Sequence, residues 1–107
     1  MTEYVLIESR DPFESRDTEF VEQTAIAISE RGHPVTVFLV QNGVFAARKT
    51  AARFKRLTDA GLLLLADDFS LRERGIKPSE LAQGIQESGI SSLVDAITQP
   101  NTKAIWH

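Results

Sequence analysis

Short apolar runs alternate with longer amphipathic stretches along this chain. The runs hold four to six residues and end in polar or glycine-containing turns, which is typical of buried strands in a parallel sheet. One further stretch, residues 82–86, fits neither the strand period nor the helix period, and we interpret it as a short strand. The predicted strands cover residues 4–7, 35–40, 62–66, 82–86 and 103–106.

Helical periodicity, capping residues and glycine stops predict four helices between these strands. They begin at Asp17 or Thr18, at Val44, at Ser70 and at a Ser91–Ser92 cap, and they end near Arg31, Asp59, Arg74 and Ile97. In the second helix, Ala47, Ala51 and Phe54 fall on one apolar stripe, and a cluster of basic residues occupies the other faces.

Strands and helices that alternate at this spacing predict an α/β fold with three layers, α/β/α. Its sheet is open, mostly parallel and about five strands wide. In such sheets ligands bind beyond the carboxyl ends of the strands. The loops at residues 9–16, 41–44 and 66–70 are therefore the places to seek a site.

Each of these loops contains polar residues that could bind a ligand. In each loop the same residues could also have a purely structural role. The long first loop could close over a ligand or be an ordinary surface loop. The second could present backbone amides to an anion or simply connect a strand to a helix. The third could hold a general base or a metal-binding carboxylate, or merely cap a short helix. The candidate pocket residues are Ser9, Arg10, Asn42, Gly43, Asp67, Asp68 and Ser70.

The length, charge and cysteine content of the chain exclude or disfavour several classes of function. A length of 107 residues suits a single domain, and the absence of a long apolar run or a basic leader predicts a cytoplasmic protein with no membrane segment. The net charge of −3 argues against a general nucleic-acid binder, although the basic residues at 48–56 leave RNA or a phosphorylated ligand open. No cysteine is present, which excludes disulfides, thiolate metal sites and a cysteine nucleophile. Neither a cofactor nor a metal is predicted.

Residues 67–76, Asp-Asp-Phe-Ser-Leu-Arg-Glu-Arg-Gly-Ile, follow an apolar strand and end in an Arg-Gly-apolar sequence. Together with the long first loop, Gly43-Val44 and a last strand ending in Trp106, this pattern resembles the DsrE/DsrF/DsrH (TusBCD-like) sulfur-relay superfamily. The resemblance places Asp67, within one residue, where such proteins keep their persulfide-carrying cysteine. It therefore implies a relative that lacks the family cysteine, with residues 1–107 as one DsrE-like domain.

The resemblance also implies assembly into oligomers of the same or related chains. Aromatic residues are enriched at interfaces and pocket rims, although each could equally pack in its own core. The candidate interface residues are Phe13, Phe45, Phe69 and Trp106. The function expected first is a non-catalytic subunit of a cytoplasmic oligomer that is linked to sulfur transfer through cysteine-bearing partners. The alternative is a homo-oligomer that binds or transforms a small anionic metabolite at the strand-end loops.

Overall fold

The computed structural model describes residues 1–51 and 53–107, and it confirms the predicted α/β fold. The strands are β1 (Glu3–Glu8), β2 (Val35–Leu39), β3 (Leu63–Asp67), β4 (Ile85–Ser88) and β5 (Thr102–Trp106). The α-helices are α1 (Thr18–Glu30), α2 (Lys55–Asp59), α3 (Asp68–Glu73) and α4 (Ile90–Ile97), and 3₁₀ segments cover Gln41–Ala47 and Pro78–Glu80. Over the described ranges, none of the helices is long and apolar enough to cross a membrane.

The five strands pair in parallel in the order β4-β3-β2-β1-β5. The first three connections move across the sheet in one direction, and the last one returns past β1. Because such connections are right-handed, α1, α2 and α3 cover one face of the sheet and α4 covers the other. The two faces are therefore covered unequally.

Apolar side chains fill both faces, which explains why the strand sequences are almost continuously apolar. On the face of α1, Leu6 and Leu64 pack in one buried cluster with Val21 of that helix. On the opposite face, Phe38 packs with Leu93 of α4 in a smaller cluster. The alternation of side chains along each strand divides the sheet residues between the two layers.

Helix α4 has apolar residues on two of its sides. Leu93 is buried against the sheet, whereas Ile90, Val94 and Ile97 have exposed fractions of 57%, 49% and 38%. These three lie at positions i, i+4 and i+7, and so they form one stripe along the helix. We call them the α4 stripe.

The prediction of one long second helix is wrong. Its first part is the 3₁₀ segment, its last part is α2, and Ala52 lies outside the described residues. Arg48 is extended and forms an antiparallel bridge with Leu81, and the Lys49 backbone N–H donates to the Glu80 carbonyl at 2.8 Å. This pairing with a distant segment requires an extended backbone at Arg48, which is incompatible with a continuous helix. The basic residues consequently do not share one helix face.

The bounds of three other elements differ from those predicted from the sequence. Helix α3 begins at Asp68 rather than at Ser70, because the Asp67 side chain caps it by accepting a hydrogen bond from the Ser70 N–H, and strand β4 ends at Ser88 rather than at residue 86. Strand β4 begins at Ile85 rather than at residue 82, because the Ala82 N–H bonds to the Ala47 carbonyl at 2.8 Å and Gly84 turns the chain with a φ of +91°. Helix α4 begins one residue before the predicted serine cap, at Ile90, and Gly89 holds the capping position. The predicted positions of the other strands agree with the structure to within about one residue at each end.

Candidate functional site

A cavity of about 400 Å³ opens at the carboxyl ends of β2 and β3, beside the first turn of α4. Most of its wall is apolar, and its charged side chains are carboxylates. No lysine or arginine lines it in the described part of the chain. The lining residues are Val40, Gln41, Asp67, Asp68, Phe69, Ser70, Glu73, Ile90, Leu93 and Trp106.

Asp67 is the last residue of β3 and lies at the wall of this cavity, with only 6% of its surface exposed. Its Oδ2 accepts hydrogen bonds from the Ser70 backbone N–H at 3.0 Å and from the Ser70 hydroxyl at 2.7 Å. Asp67 is therefore the N-cap of α3. Its Oδ1 is buried and accepts no hydrogen bond from any described residue.

Ser70 connects the ends of two neighbouring strands. Its hydroxyl donates to Asp67 and accepts a hydrogen bond from the backbone N–H of Gln41 at 2.9 Å. Gln41 has a φ of +50°, a left-handed conformation that costs energy in a residue other than glycine. The hydrogen bond to Ser70 helps to hold the backbone after β2 in this conformation.

The structure brings together only part of the predicted pocket. Asp67, Asp68 and Ser70 line the cavity, whereas Ser9, Arg10, Asn42 and Gly43 do not. The Asn42 side-chain oxygen accepts from Arg74 at 3.0 and 3.1 Å, and Gly43 is buried against the Glu8 carbonyl. The Ser9 hydroxyl bonds to the backbone oxygen of His107 at 3.0 Å, and the Arg10 guanidinium lies 3.8 Å from Asp17.

The four aromatic candidates also separate into two groups. Phe69 and Trp106 lie at the cavity and are largely exposed. Phe13 is exposed elsewhere, with the guanidinium groups of Arg48 and Arg53 at 5.9 and 5.5 Å from its ring centre. Phe45 packs against the larger core cluster. Half of the candidate interface residues therefore border the cavity.

A buried acid–imidazole pair was not predicted from the sequence. Glu8, at the carboxyl end of β1, is fully buried, and its two carboxylate oxygens lie 2.7 and 2.9 Å from Nδ1 of His107. An ionised Glu8 accepts a hydrogen bond from the tautomer of His107 that carries hydrogen on Nδ1. The sequence contained one indication of this pair: a glutamate directly continues an apolar strand. A charged side chain at such a position is buried, and charged side chains are almost never fully buried without a partner.

Burial raises the pKa of Glu8 above its ordinary value of 4.5, and the hydrogen bond from His107 opposes part of this increase. The folded protein therefore holds the Glu8 proton more tightly than the unfolded chain does. Its contribution to stability is complete below pH 4.5 and is lost as the pH rises through the pKa of the folded state.

We expect Glu8→Gln to remove this part of the pH dependence. Relative to the wild type, the free energy of unfolding of the variant should increase as the pH rises above 4.5 and through the pKa that Glu8 has in the folded protein. Urea unfolding at several pH values measures the difference. Glu14→Gln, at an exposed site, is the control and should follow the wild type. If the free energies of unfolding of the wild type and of Glu8→Gln change with pH in parallel, Glu8 is not the group that causes this pH dependence.

A second cavity, of about 500 Å³, lies at the amino end of β4. Lys49, Arg53 and Lys55 contribute to its wall. The Lys55 ammonium is paired with Asp59 at 2.8 Å, and an Arg53 nitrogen lies 3.3 Å from the Pro12 carbonyl. Internal contacts therefore occupy part of this basic surface. No group of three or more acidic or histidine residues arranged to hold a metal ion occurs among residues 1–51 and 53–107.

Comparisons with known proteins show the family from the sequence and the fold from solved structures. The model of the DsrE/DsrF-like family matches residues 3–104. The crystal structure of the YchN protein from E. coli is similar with a TM-score of 0.89 at 17% identity, and all of both chains is covered. MTH1491 from Methanobacterium thermoautotrophicum, described as a protein of unknown function, gives a TM-score of 0.80 at 21% identity, again over all of both chains. No curated protein sequence matches significantly.

Proposed function

Because this chain belongs to the DsrE/DsrF-like family, we propose that it is a non-catalytic subunit of a cytoplasmic assembly with other DsrE-like chains. Sulfur relay by persulfide needs a thiolate, and this chain has no cysteine. Its link to sulfur transfer would then run through partner chains that do carry cysteine. In this proposal residues 1–107 act as one DsrE-like domain.

The observation that carries the assembly is the α4 stripe. Among the described helices, α4 alone covers its face of the sheet, and its Ile90, Val94 and Ile97 remain exposed. Fully burying an exposed side chain of this kind contributes about 1.5 to 3 kcal/mol, and covering the exposed half of each side chain of the stripe contributes about half of that, which favours covering the stripe in a complex. Leu63 and Trp106, which lie on the same face of the sheet, are also exposed.

A related α/β chain is the occupant that fits this surface best. The stripe is a narrow apolar row on a short helix, bordered by polar residues such as Ser91 and Asp95. This composition is typical of contacts between subunits, which combine an apolar centre with a polar rim. Members of the family often form oligomers, which supports the same choice.

We expect Val94→Glu to dissociate the assembly, because the substitution places a charge in the middle of the stripe. Native mass spectrometry of the tagged protein, purified gently from its host, measures both oligomer mass and partner identity. Thr50→Glu adds the same charge at an exposed site on another surface, and it should leave the oligomer intact.

The outcomes separate the possibilities. Complexes containing cysteine-bearing DsrE-like chains that are lost in Val94→Glu and kept in Thr50→Glu support the proposal. A wild-type protein that is monomeric and free of partners at working concentration contradicts it. A homo-oligomer without such partners would contradict the link to sulfur transfer while leaving the interface in place.

The strand-end cavity favours a second function, in which a homo-oligomer of this chain binds or transforms a small molecule. The metabolite expected from the sequence was anionic. The carboxylates of Asp67, Asp68 and Glu73 line the cavity and disfavour an anion. Asn42 and Gly43, which were expected to contact the anion, lie outside the cavity. Additional small-molecule mass on a homo-oligomer in the same native spectra would support this function.

A further inference from the structure

Two guanidinium groups lie against the ring of Phe13, in the long loop after β1. The guanidinium carbons of Arg48 and Arg53 are 5.9 and 5.5 Å from the ring centre, and 58% of the Phe13 surface is exposed. Arg48 also lies 5.2 Å from the ring centre of Phe45. Tertiary structure therefore places two cations beside an aromatic ring that a ligand can reach.

Both guanidinium groups keep most of their hydrogen-bonding capacity. Nε of Arg48 donates to the Phe45 carbonyl at 3.0 Å, and a terminal nitrogen of Arg53 donates to the Pro12 carbonyl at 3.3 Å. Each of these contacts uses one of the five N–H groups that a guanidinium carries. Neither arginine is in an ion pair among residues 1–51 and 53–107.

Arg53 connects this aromatic surface to the cavity of about 500 Å³ at the amino end of β4. Lys49 lines the same cavity, and its ammonium group is in no ion pair in the described part of the chain. Lys55 and Asp59, which are also in the wall, are paired at 2.8 Å and so largely cancel each other's charge. Lys49 and Arg53 therefore give the cavity a net positive charge, which favours an anionic ligand.

The carboxylates of α1 do not neutralise this charge. Glu19 and Glu22 share a smaller hollow with Arg53. Neither forms an ion pair with Arg53 in the described ranges, and Glu22 lies 3.9 Å from Arg56 instead. A ligand at Arg53 consequently has no acidic side chain to displace.

The combination of cations with an exposed ring indicates the chemistry of the ligand. A guanidinium presents a fork of N–H donors that matches phosphate oxygens. Flat nitrogenous bases stack on aromatic rings and on guanidinium planes. A nucleotide carries both groups, and the adjoining cavity is within the usual size range of small-molecule sites.

We infer that Phe13, Arg48, Lys49 and Arg53 form a nucleotide-binding site, in which the base contacts Phe13 and the phosphates contact the three basic side chains. The net charge of −3 does not exclude such a ligand, because charges beyond the Debye length of about 8 Å are largely screened. Binding requires neither a cysteine-bearing partner nor the α4 stripe, so this inference and the proposed function can fail separately.

Isothermal titration calorimetry of the purified wild-type protein tests the inference with three probes. The probes are adenosine 5′-diphosphate, adenosine and pyrophosphate, in a buffer without divalent cations so that the phosphates keep their charge. We expect adenosine 5′-diphosphate to bind at least about tenfold more tightly than either fragment, because only the nucleotide contacts both the ring and the basic side chains.

Three results would overturn the inference. Equal affinity for pyrophosphate would show that the ring is irrelevant, and equal affinity for adenosine would show that the charge is irrelevant. Absence of adenosine 5′-diphosphate binding at millimolar concentration would overturn it as well. These comparisons use the wild type and do not depend on whether a variant folds.

Arg53→Gln locates the phosphate contact. We expect the affinity for adenosine 5′-diphosphate to fall at least about tenfold, because a charge-assisted hydrogen bond is lost. Lys103→Gln removes the same charge from exposed β5, at the opposite edge of the sheet from β4, and should leave the affinity unchanged. Equal losses in the two folded variants would show that overall charge, rather than this site, attracts the nucleotide.

Phe13→Leu tests the base contact in the same way. The affinity for adenosine 5′-diphosphate should fall about fivefold or more, because stacking is lost, while the affinity for pyrophosphate stays the same. Phe69, which is also 58% exposed and lines the strand-end cavity, provides the control Phe69→Leu, with unchanged affinity for both probes. A folded Phe13→Leu variant that binds adenosine 5′-diphosphate as the wild type does would contradict the role of the ring.

A short single-stranded oligoadenylate distinguishes a free nucleotide from a nucleotide within RNA. Tighter binding of the strand than of adenosine 5′-diphosphate, with an affinity that falls steeply as the salt concentration rises, identifies RNA as the source. A strand that binds no more tightly identifies the free nucleotide. Both results support the inferred chemistry of the site.

Discussion

Gly43→Ala is expected to lower the free energy of unfolding by about 3 kcal/mol, the upper end of the cost of overpacking a dense interior. A Cβ at this position would overlap the carbonyl oxygen of Glu8 and lie 3.0 Å from its carbon. That carbonyl cannot move away freely, because it accepts the hydrogen bond of the Val40 N–H at 3.0 Å. Gly43 is therefore required where the segment after β2 passes closely over the end of β1.

The matched control is Gly89→Ala. A Cβ at Gly89 would find its nearest neighbours, Asp68 Oδ2 and Ser91 Oγ, at the ordinary distance of 3.8 Å. We expect this control to change stability by no more than about 1 kcal/mol. Urea unfolding followed by far-ultraviolet circular dichroism measures both variants. Similar values for the two glycines would show that the close approach at Gly43 is not what constrains the fold.

Ser70→Ala is expected to destabilise the protein by about 2 kcal/mol, because it removes two hydrogen bonds of one buried hydroxyl. The Gln41 N–H loses its acceptor and Asp67 loses one of its two donors. The effect should also be visible locally. Amide hydrogen exchange at Gln41 should become faster, since the hydrogen bond that protects this N–H is gone.

Ser92→Ala is the control for this prediction. Ser92 is exposed on α4, and alanine there favours the helix slightly, so we expect a change within about 0.5 kcal/mol. Hydrogen exchange at Gln41 should be the same as in the wild type. If Ser70→Ala leaves both the stability and this exchange rate unchanged, the hydroxyl does not hold the ends of β2 and β3 together.

Most of the sheet could be predicted because its strands are buried on both faces. In β2 and β3 most side chains contact a core layer, and the sequence accordingly contains continuous apolar runs such as residues 35–40. Helix α1 was predictable for a related reason, since one side packs on the sheet and the others meet water. Both signals arise from local periodicity.

The segment between β2 and α2 was mispredicted because a distant segment sets its conformation. Residues 44–59 have an apolar spacing that fits a helix, yet Arg48 pairs with Leu81 and Phe54 adopts a φ of +58°. Periodicity reports which side chains are buried, and it carries no information about a strand-like partner more than thirty residues away.

The sequence alone determined the order of strands and helices, the parallel α/β class, the absence of a thiol and the polar strand ends where a site was expected. Tertiary structure decided which of those polar residues meet. It placed Asp67, Asp68 and Ser70 at one cavity, directed Asn42 to Arg74 and Ser9 to His107, and paired buried Glu8 with an imidazole 99 positions away. The physical reason is that strand order and side-chain direction depend on long-range packing, whereas helix and strand propensity depend on neighbours along the chain.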